Sequence, residues 1–262
     1  MPTIEAKMQL FPTGGALVFG GSGGIGRAVA LGLATAGANV ALTYRSNKEA
    51  ARQAVDAIRA QGASASMHSV DVTNATEVNA AISDAISVHA RIHTLVWAAG
   101  PLVAQELLSE MTFEQWKKAI DVELNGFFAV CKEMIPHFRA NGGGSFVTLG
   151  AAGHSRWPQR DGLSVAPKAA IESLLRGIAV EEGRHNIRAN SVLVGVIEAG
   201  MFLELLATGV FDDAWVENTK KMLPLARWGK PEEIADAVVF LASNKASYVT
   251  GQAISVSGGY GL

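Results

Sequence analysis

Tyrosine is scarce in this chain: three residues in 262, at Tyr44, Tyr248 and Tyr260. Cysteine is scarcer still. Cys131 stands alone, so no internal disulfide can form, and the composition fits a reducing cytosol. Cys131 itself reads as a small apolar helix residue rather than a nucleophile. Neither charge sign is in excess, and a net charge of −2 offers no basic surface for nucleic acid. No apolar run is long enough to span a bilayer. The segment Met1–Thr13 contains Glu5 and no long apolar run, so it does not read as a signal peptide. No repeat, linker or low-complexity stretch divides the chain, and residues 1–262 are expected to form one domain.

What is present is a regular alternation. Hydrophobic residues make up 49% of the chain, enough for a large core. Short apolar or β-branched runs at Ala16–Gly20, Asn39–Tyr44, Ala65–Val70, His93–Ala98, Ser145–Gly150, Arg188–Val194 and Ala253–Val256 read as strands. Helical patterns lie between them: Gly24–Ala36, Lys48–Gln61, Asn74–His89 with Asn74 as cap, a long Thr112–Ala140, a helix starting near Ser164, and Glu232–Ser243. This rhythm predicts an α/β fold: a doubly wound, Rossmann-type parallel sheet of about seven strands with helices on both faces.

The first strand-to-helix turn is glycine-rich: Gly20, Gly21, Ser22, Gly23, Gly24, Ile25 and Gly26. Glycines there permit a tight turn and a close backbone approach to a pyrophosphate. The helix N-terminus adds unpaired N–H groups and the positive end of a dipole. The location, between the first strand and first helix, makes the pattern specific for a dinucleotide. The end of the second strand selects the cofactor. NAD sites place a carboxylate there for the ribose 2′-OH. This chain has Tyr44, Arg45, Ser46 and Asn47, so a guanidinium faces that position and NADP(H) is favoured over NAD(H). Asp71 and Val72, after the third strand, are placed to hold an adenine amino group.

These motifs, with Asp71-Val72-Thr73, Arg227-Trp228-Gly229-Lys230-Pro231-Glu232-Glu233-Ile234-Ala235, Tyr248-Val249-Thr250-Gly251-Gln252 and Gly258-Gly259, resemble the short-chain dehydrogenase/reductase family over nearly the whole length. The resemblance implies a cytoplasmic, small-molecule oxidoreductase, assembled as a homo-dimer or homo-tetramer through two long central helices. It also implies that Ala98-Ala99-Gly100, Gly195 and Ile197 line the cofactor site.

The departures from the family pattern fall on its catalytic residues. The Y-x-x-x-K motif is matched by Ser164-Val165-Ala166-Pro167-Lys168, so serine stands where tyrosine is expected. The family serine falls on Ala151 and its catalytic asparagine on Glu123. Lys168 alone remains of the four. Loss of an acid–base group costs about 10²–10⁴-fold in rate. Serine is a poor acid, and Ser164 reads as a helix N-cap, with Pro167 tolerated in the first turn. Replacement acids are sought in Gly153–Ser164: His154 and Asp161, with Ser155 and Arg156 as polarising groups. Enoyl-acyl-carrier reductases space tyrosine and lysine as Y-x-x-x-x-x-x-K, a register that lands on Asp161. The 2,4-dienoyl-CoA reductases also carry serine four residues before lysine. Their L-N-G resembles Leu124-Asn125-Gly126, which makes Asn125 a candidate.

Three functions stay open at this level. One is an NADP(H)-dependent oxidoreductase of atypical mechanism, acting on a C=O or conjugated C=C. The second is a non-redox lyase or isomerase with Glu123 as base. The third is a catalytically degenerate NADP-binding scaffold subunit. The resemblance implies that the segment Val196–Leu225 lids the substrate site. Its apolar residues (Met201, Phe202, Leu203, Leu205, Leu206, Val210, Phe211, Trp215) point to an apolar substrate or to a neighbouring subunit. No metal site is expected.

Overall fold

The structure is a computed structural model that describes residues 9–262; Glu5 and most of the Met1–Thr13 segment considered above lie outside the described residues. Seven strands, β1 (Gly15–Phe19), β2 (Asn39–Tyr44), β3 (Ala65–Ser69), β4 (Ile92–Trp97), β5 (Gly144–Ala151), β6 (Ile187–Val194) and β7 (Ala253–Val256), form one sheet of order β3-β2-β1-β4-β5-β6-β7. Every pairing is parallel. Sequence order reverses between β1 and β4, and the crevice at the carboxyl ends of those strands is where such sheets bind ligands.

Side-chain alternation divides the core in two. Ala16 and Val18 of β1, Val40 and Leu42 of β2 and Val96 of β4 join one apolar layer. Leu17, Phe19, Ala41, Leu95 and Trp97 join the other. Helices α1 (Gly24–Thr35), α2 (Lys48–Ala60) and α9 (Pro231–Ala242) cover the first layer. Helices α3 (Ala75–His89), α5 (Gly126–Ala140) and α6 (Gly162–Glu182) cover the second. Burial on both faces explains why the strand runs are apolar throughout rather than alternating. Cys131 sits fully inside the second layer, and burial pushes its thiol pKa far up. It is a core residue.

Three sequence expectations change. The Thr112–Ala140 helix begins at α4 (Phe113–Ile120), with Thr112 and Gln115 forming a capping box, and runs into α5 through a π-helical turn at Asp121–Asn125. Helix α6 starts at Gly162 with Asp161 at the cap position, so Ser164 is a buried first-turn residue and not the N-cap. Pro167 therefore lies beyond the first turn and leaves the carbonyl of Leu163 without its helical partner. The lid is not an open loop: it contains α7 (Met201–Ala207) and α8 (Asp213–Lys221). Among the described residues no helix is long and apolar enough to cross a membrane.

Candidate active site

The glycine turn is built for close backbone approach. Gly20 has φ +78°, and a Cβ there would lie 2.7 Å from the Ala98 carbonyl oxygen. A Cβ on Gly26 would lie 2.2 Å from the Gly20 carbonyl oxygen. The Gly20 N–H donates to Thr43 Oγ1 at 3.1 Å, which pins the turn to β2. Helix α1 opens at Gly24 with Gly23 at its cap and no side chain capping it. Its first amide groups, from Gly24, Ile25 and Gly26, thus stay free for an anion. Ser22 is half-buried and Gly23 and Gly24 are exposed. This cradle fits a pyrophosphate.

Across the switch point, the Ala98 N–H donates to the Phe19 carbonyl at 3.0 Å, and Ala99 and Gly100 continue the crevice floor. Arg45 and Ser46 are exposed at the end of β2. Asp71 stands within electrostatic reach of Arg45. Its Oδ1 accepts from the Thr73 hydroxyl at 2.7 Å and the Thr73 N–H at 2.9 Å, and these bonds hold the carboxyl below its usual pKa. Val72 packs beside Gly126 and Trp97. On the far wall, the Gly195 N–H donates to the Val256 carbonyl at 3.1 Å, and the buried Ile197 bridges to Gly229. Ala199 then closes on Gly24, where an added Cβ would stand 2.8 Å from the Ala199 Cβ.

A buried group of charges fills the centre. The π-turn rotates Glu123 inward, leaving it 1% exposed. One of its oxygens is ion-paired to Lys168 Nζ, and the other has no hydrogen-bond partner. π-Helical turns are rare and concentrate at functional sites. His154 is held on both sides. Its Nδ1 lies 2.7 Å from Glu172 Oε1, and its Nε2–H donates to the Val165 carbonyl at 3.3 Å. The first contact is an ion pair by distance but is poorly aligned as a hydrogen bond. With both ring nitrogens facing oxygen acceptors, the ring is suited to the imidazolium form, and the Glu172 carboxylate raises its pKa. His154 is thereby tied into the fold.

Asp161 differs. Its carbonyl accepts the N–H groups of Ser164 and Val165, and its carboxylate Oδ1 accepts a long bond from Gln105 Nε2 at 3.2 Å. It has no ion-pair partner among the described residues. Burial raises its pKa, against the smaller opposing effects of Gln105 and of Lys168 nearby.

The structure thus brings Glu123, His154, Asp161, Ser164 and Lys168 into one region. Asn125 lies apart: it is exposed, on the opposite side of the π-turn, and its amide donates to Asp121 Oδ1 at 2.8 Å. Glu172 and Gln105 were not singled out in the sequence. Glu172, four residues after Lys168 on α6, carried the helical spacing that could have flagged it; Gln105 carried no signal. Four of the lid's apolar residues, Phe202, Leu206, Phe211 and Trp215, pack together against Leu223 and Trp228. The Phe211 and Trp215 rings stack 3.7 Å apart. They form a small core of their own rather than a bare apolar lining, while Leu203 and Val210 stay exposed. A cleft of about 630 Å³ is lined by Ser155, Val196, Ile197 and the tail around Tyr260. Among the described residues no cluster suits a metal ion.

The sheet order, the glycine cradle and the lysine on α6 define a dinucleotide-binding α/β protein. The sequence model of the family described as enoyl-(acyl carrier protein) reductase matches residues 20–261. The 3-oxoacyl-(acyl-carrier-protein) reductase FabG of Staphylococcus aureus is 35% identical over 247 residues, covering 94% of this chain and 98% of that protein. The sorbose reductase of Schizosaccharomyces pombe is also 35% identical over 247 residues, covering 93% of this chain and 94% of its own. Among solved structures, a short-chain dehydrogenase/reductase from Mycobacterium ulcerans superposes with TM-score 0.88 at 32% identity, over 95% of this chain and 90% of that one. A 7α-hydroxysteroid dehydrogenase complexed with NADH and 7-oxo glycochenodeoxycholic acid gives TM-score 0.89 at 29% identity, over 98% of both chains. The chain belongs to the short-chain dehydrogenase/reductase family of oxidoreductases.

Proposed function

We propose that this protein is an NADP(H)-dependent oxidoreductase that reduces a C=O or conjugated C=C, with Asp161 giving the proton. The observation that carries the reading is the state of Asp161: a half-buried carboxyl at the start of α6, raised in pKa, near Lys168 and without an ion-pair partner among the described residues. A carboxyl whose pKa is raised is better suited to general-acid work than an ordinary one. His154 is locked between Glu172 and Val165, and Asn125 faces solvent, so neither competes for the role.

The free amides of Gly24, Ile25 and Gly26 would hold a pyrophosphate, and Arg45 with Ser46 would hold the 2′-phosphate. When bound, the cofactor supplies the hydride. Lys168, steadied by Glu123, would hold the ribose, as the family resemblance implies. The same pairing weakens the non-redox reading, because Glu123 is engaged as a counter-ion rather than poised as a base. Reduction of 3-oxoacyl substrates by the FabG relative makes carbonyl compounds with an apolar body the first class to test.

NADPH consumption by the purified protein, measured over aromatic and aliphatic ketones and enoyl thioesters, tests the proposal. Oxidation abolished in Lys168→Ala supports it. Calorimetric NADPH binding with no oxidation of any compound contradicts it and favours a scaffolding role.

A further inference from the structure

The C-terminal tail brings the chain's last tyrosine beside the segment between β5 and α6. After β7 the backbone folds back through two turns, with the Tyr260 N–H on the Ser257 carbonyl and the Leu262 N–H on the Gly259 carbonyl, both at 3.2 Å. Gly258, Gly259 and Gly261 all have positive φ, which permits this tight path. The path ends against the segment between β5 and α6: a Cβ on Gly261 would lie 2.7 Å from the Ser155 Cβ. That segment carries His154 and leads into Asp161.

Tyr260 packs against the apolar group of Phe202, Leu223 and Trp228 at the base of the lid. It lines the cleft together with Ser155, Val196 and Ile197. Its phenol stands within electrostatic reach of both Asp161 and Arg156. Burial, aided by the Asp161 charge, raises its pKa, so the phenol stays neutral and able to donate. Its hydroxyl makes no hydrogen bond among the described residues, whereas Tyr248, in the same tail, is fully exposed.

We infer that Tyr260 is a hydroxyl donor to the reacting substrate oxygen, delivered from the C-terminal tail in place of the serine hydroxyl absent at position 151 and the phenol absent at position 164. The inference rests on the proposed reductase reading and extends it. In carbonyl reduction the hydride of NADPH adds to the carbonyl carbon as the C=O π bond breaks. The oxygen takes the proton of Asp161, and the resulting carboxylate is reprotonated from solvent. Tyr260 keeps its proton and polarises the oxygen throughout. Two donors of different kinds then share the work done in the family by serine and tyrosine.

Two measurements decide it. The first compares Tyr260→Phe with wild type on a ketone that the wild type reduces. The expected result is a fall in kcat of roughly 10²-fold, the scale of losing one oxyanion donor, with NADPH affinity by calorimetry unchanged. A Tyr260→Phe enzyme with wild-type kcat overturns the inference and leaves the reductase reading standing. A wild type that oxidises NADPH with no ketone or enoyl thioester overturns the reductase reading, and this inference with it. The second follows phenol ionisation by ultraviolet difference between wild type and Tyr260→Phe. Removing the neighbouring charge with Asp161→Asn is expected to lower the pH at which Tyr260 ionises; an unchanged titration shows that the two side chains are not neighbours and also overturns the inference.

Discussion

Lys168 on α6 is ion-paired to Glu123, a side chain that the π-helical turn between α4 and α5 rotates into the core. Both partners are largely withdrawn from water, with side chains 16% and 2% exposed. Removing one partner of such a pair strands a charge, which costs about 3–5 kcal/mol. Glu123→Ala is therefore expected to lower Tm by roughly 5–15 °C for a chain of this size. The double variant Glu123→Ala/Lys168→Ala is expected to recover part of that loss. Additive losses in thermal unfolding show that the two residues do not act as a pair.

Arg45 is the proposed contact to the cofactor 2′-phosphate. Charge-assisted bonds to a phosphate contribute about 1.5–3 kcal/mol. Arg45→Ala is expected to weaken NADPH binding by roughly 10- to 100-fold and to leave NADH binding nearly unchanged. Calorimetry with both cofactors checks this. An equal effect on the two, or none on either, assigns the 2′-phosphate contact elsewhere.

Histidines set the pH limits of stability in opposite directions. His93 is buried beside Phe11, and burial holds its pKa down at about 4. Its contribution is fully present above the unfolded value near 6.5 and is lost as pH falls toward 4, a change of about 3 kcal/mol. His68, His89 and His137 are lowered by burial too and add to this acid limb. His154 is raised by Glu172, so its contribution is present below the unfolded pKa and fades as pH rises through the folded one. Tm measured from pH 4 to 9 is expected to decline steeply on the acid side. His93→Gln flattens that limb, and His154→Gln flattens the alkaline one. Unchanged profiles contradict the assignment.

Phe128, 52% exposed on α5, lines a groove with Ile135 and Leu174, and Val180 on α6 is 84% exposed. Apolar side chains grouped this way mark an association surface. Phe128→Glu with Val180→Glu is expected to shift the protein from a homo-dimer or homo-tetramer to a smaller species in sedimentation. A wild type that sediments as a monomer contradicts this.

Much of the fold was legible because its signals are local. Gly20 to Gly26 punctuate the first turn, and the strand runs are bounded by residues close in sequence. The chemistry was less legible because its contacts are distant. Nothing near Tyr260 in sequence reveals that Gly261 lies on Ser155, and nothing near Gln105 reveals Asp161, 56 residues on. Ser164 has the chemistry of an N-cap, yet the Asp161 carbonyl already accepts its N–H, so the helix begins earlier. The aromatic residues of the lid read as apolar, and Phe202, Phe211 and Trp215 pack on one another. Periodicity cannot say whether Phe211 will meet a substrate or Trp215.

Asp161 is the proposed proton donor. The pH dependence of kcat/KM for NADPH-driven reduction, in wild type and Asp161→Asn, tests it most directly. The wild-type rate is expected to be high where Asp161 is protonated and to fall as pH rises through its raised pKa. Asp161→Asn is expected to lose this limb and roughly 10²–10⁴-fold in rate, with NADPH affinity preserved. An Asp161→Asn enzyme that keeps the wild-type rate and the same pH limb contradicts the account.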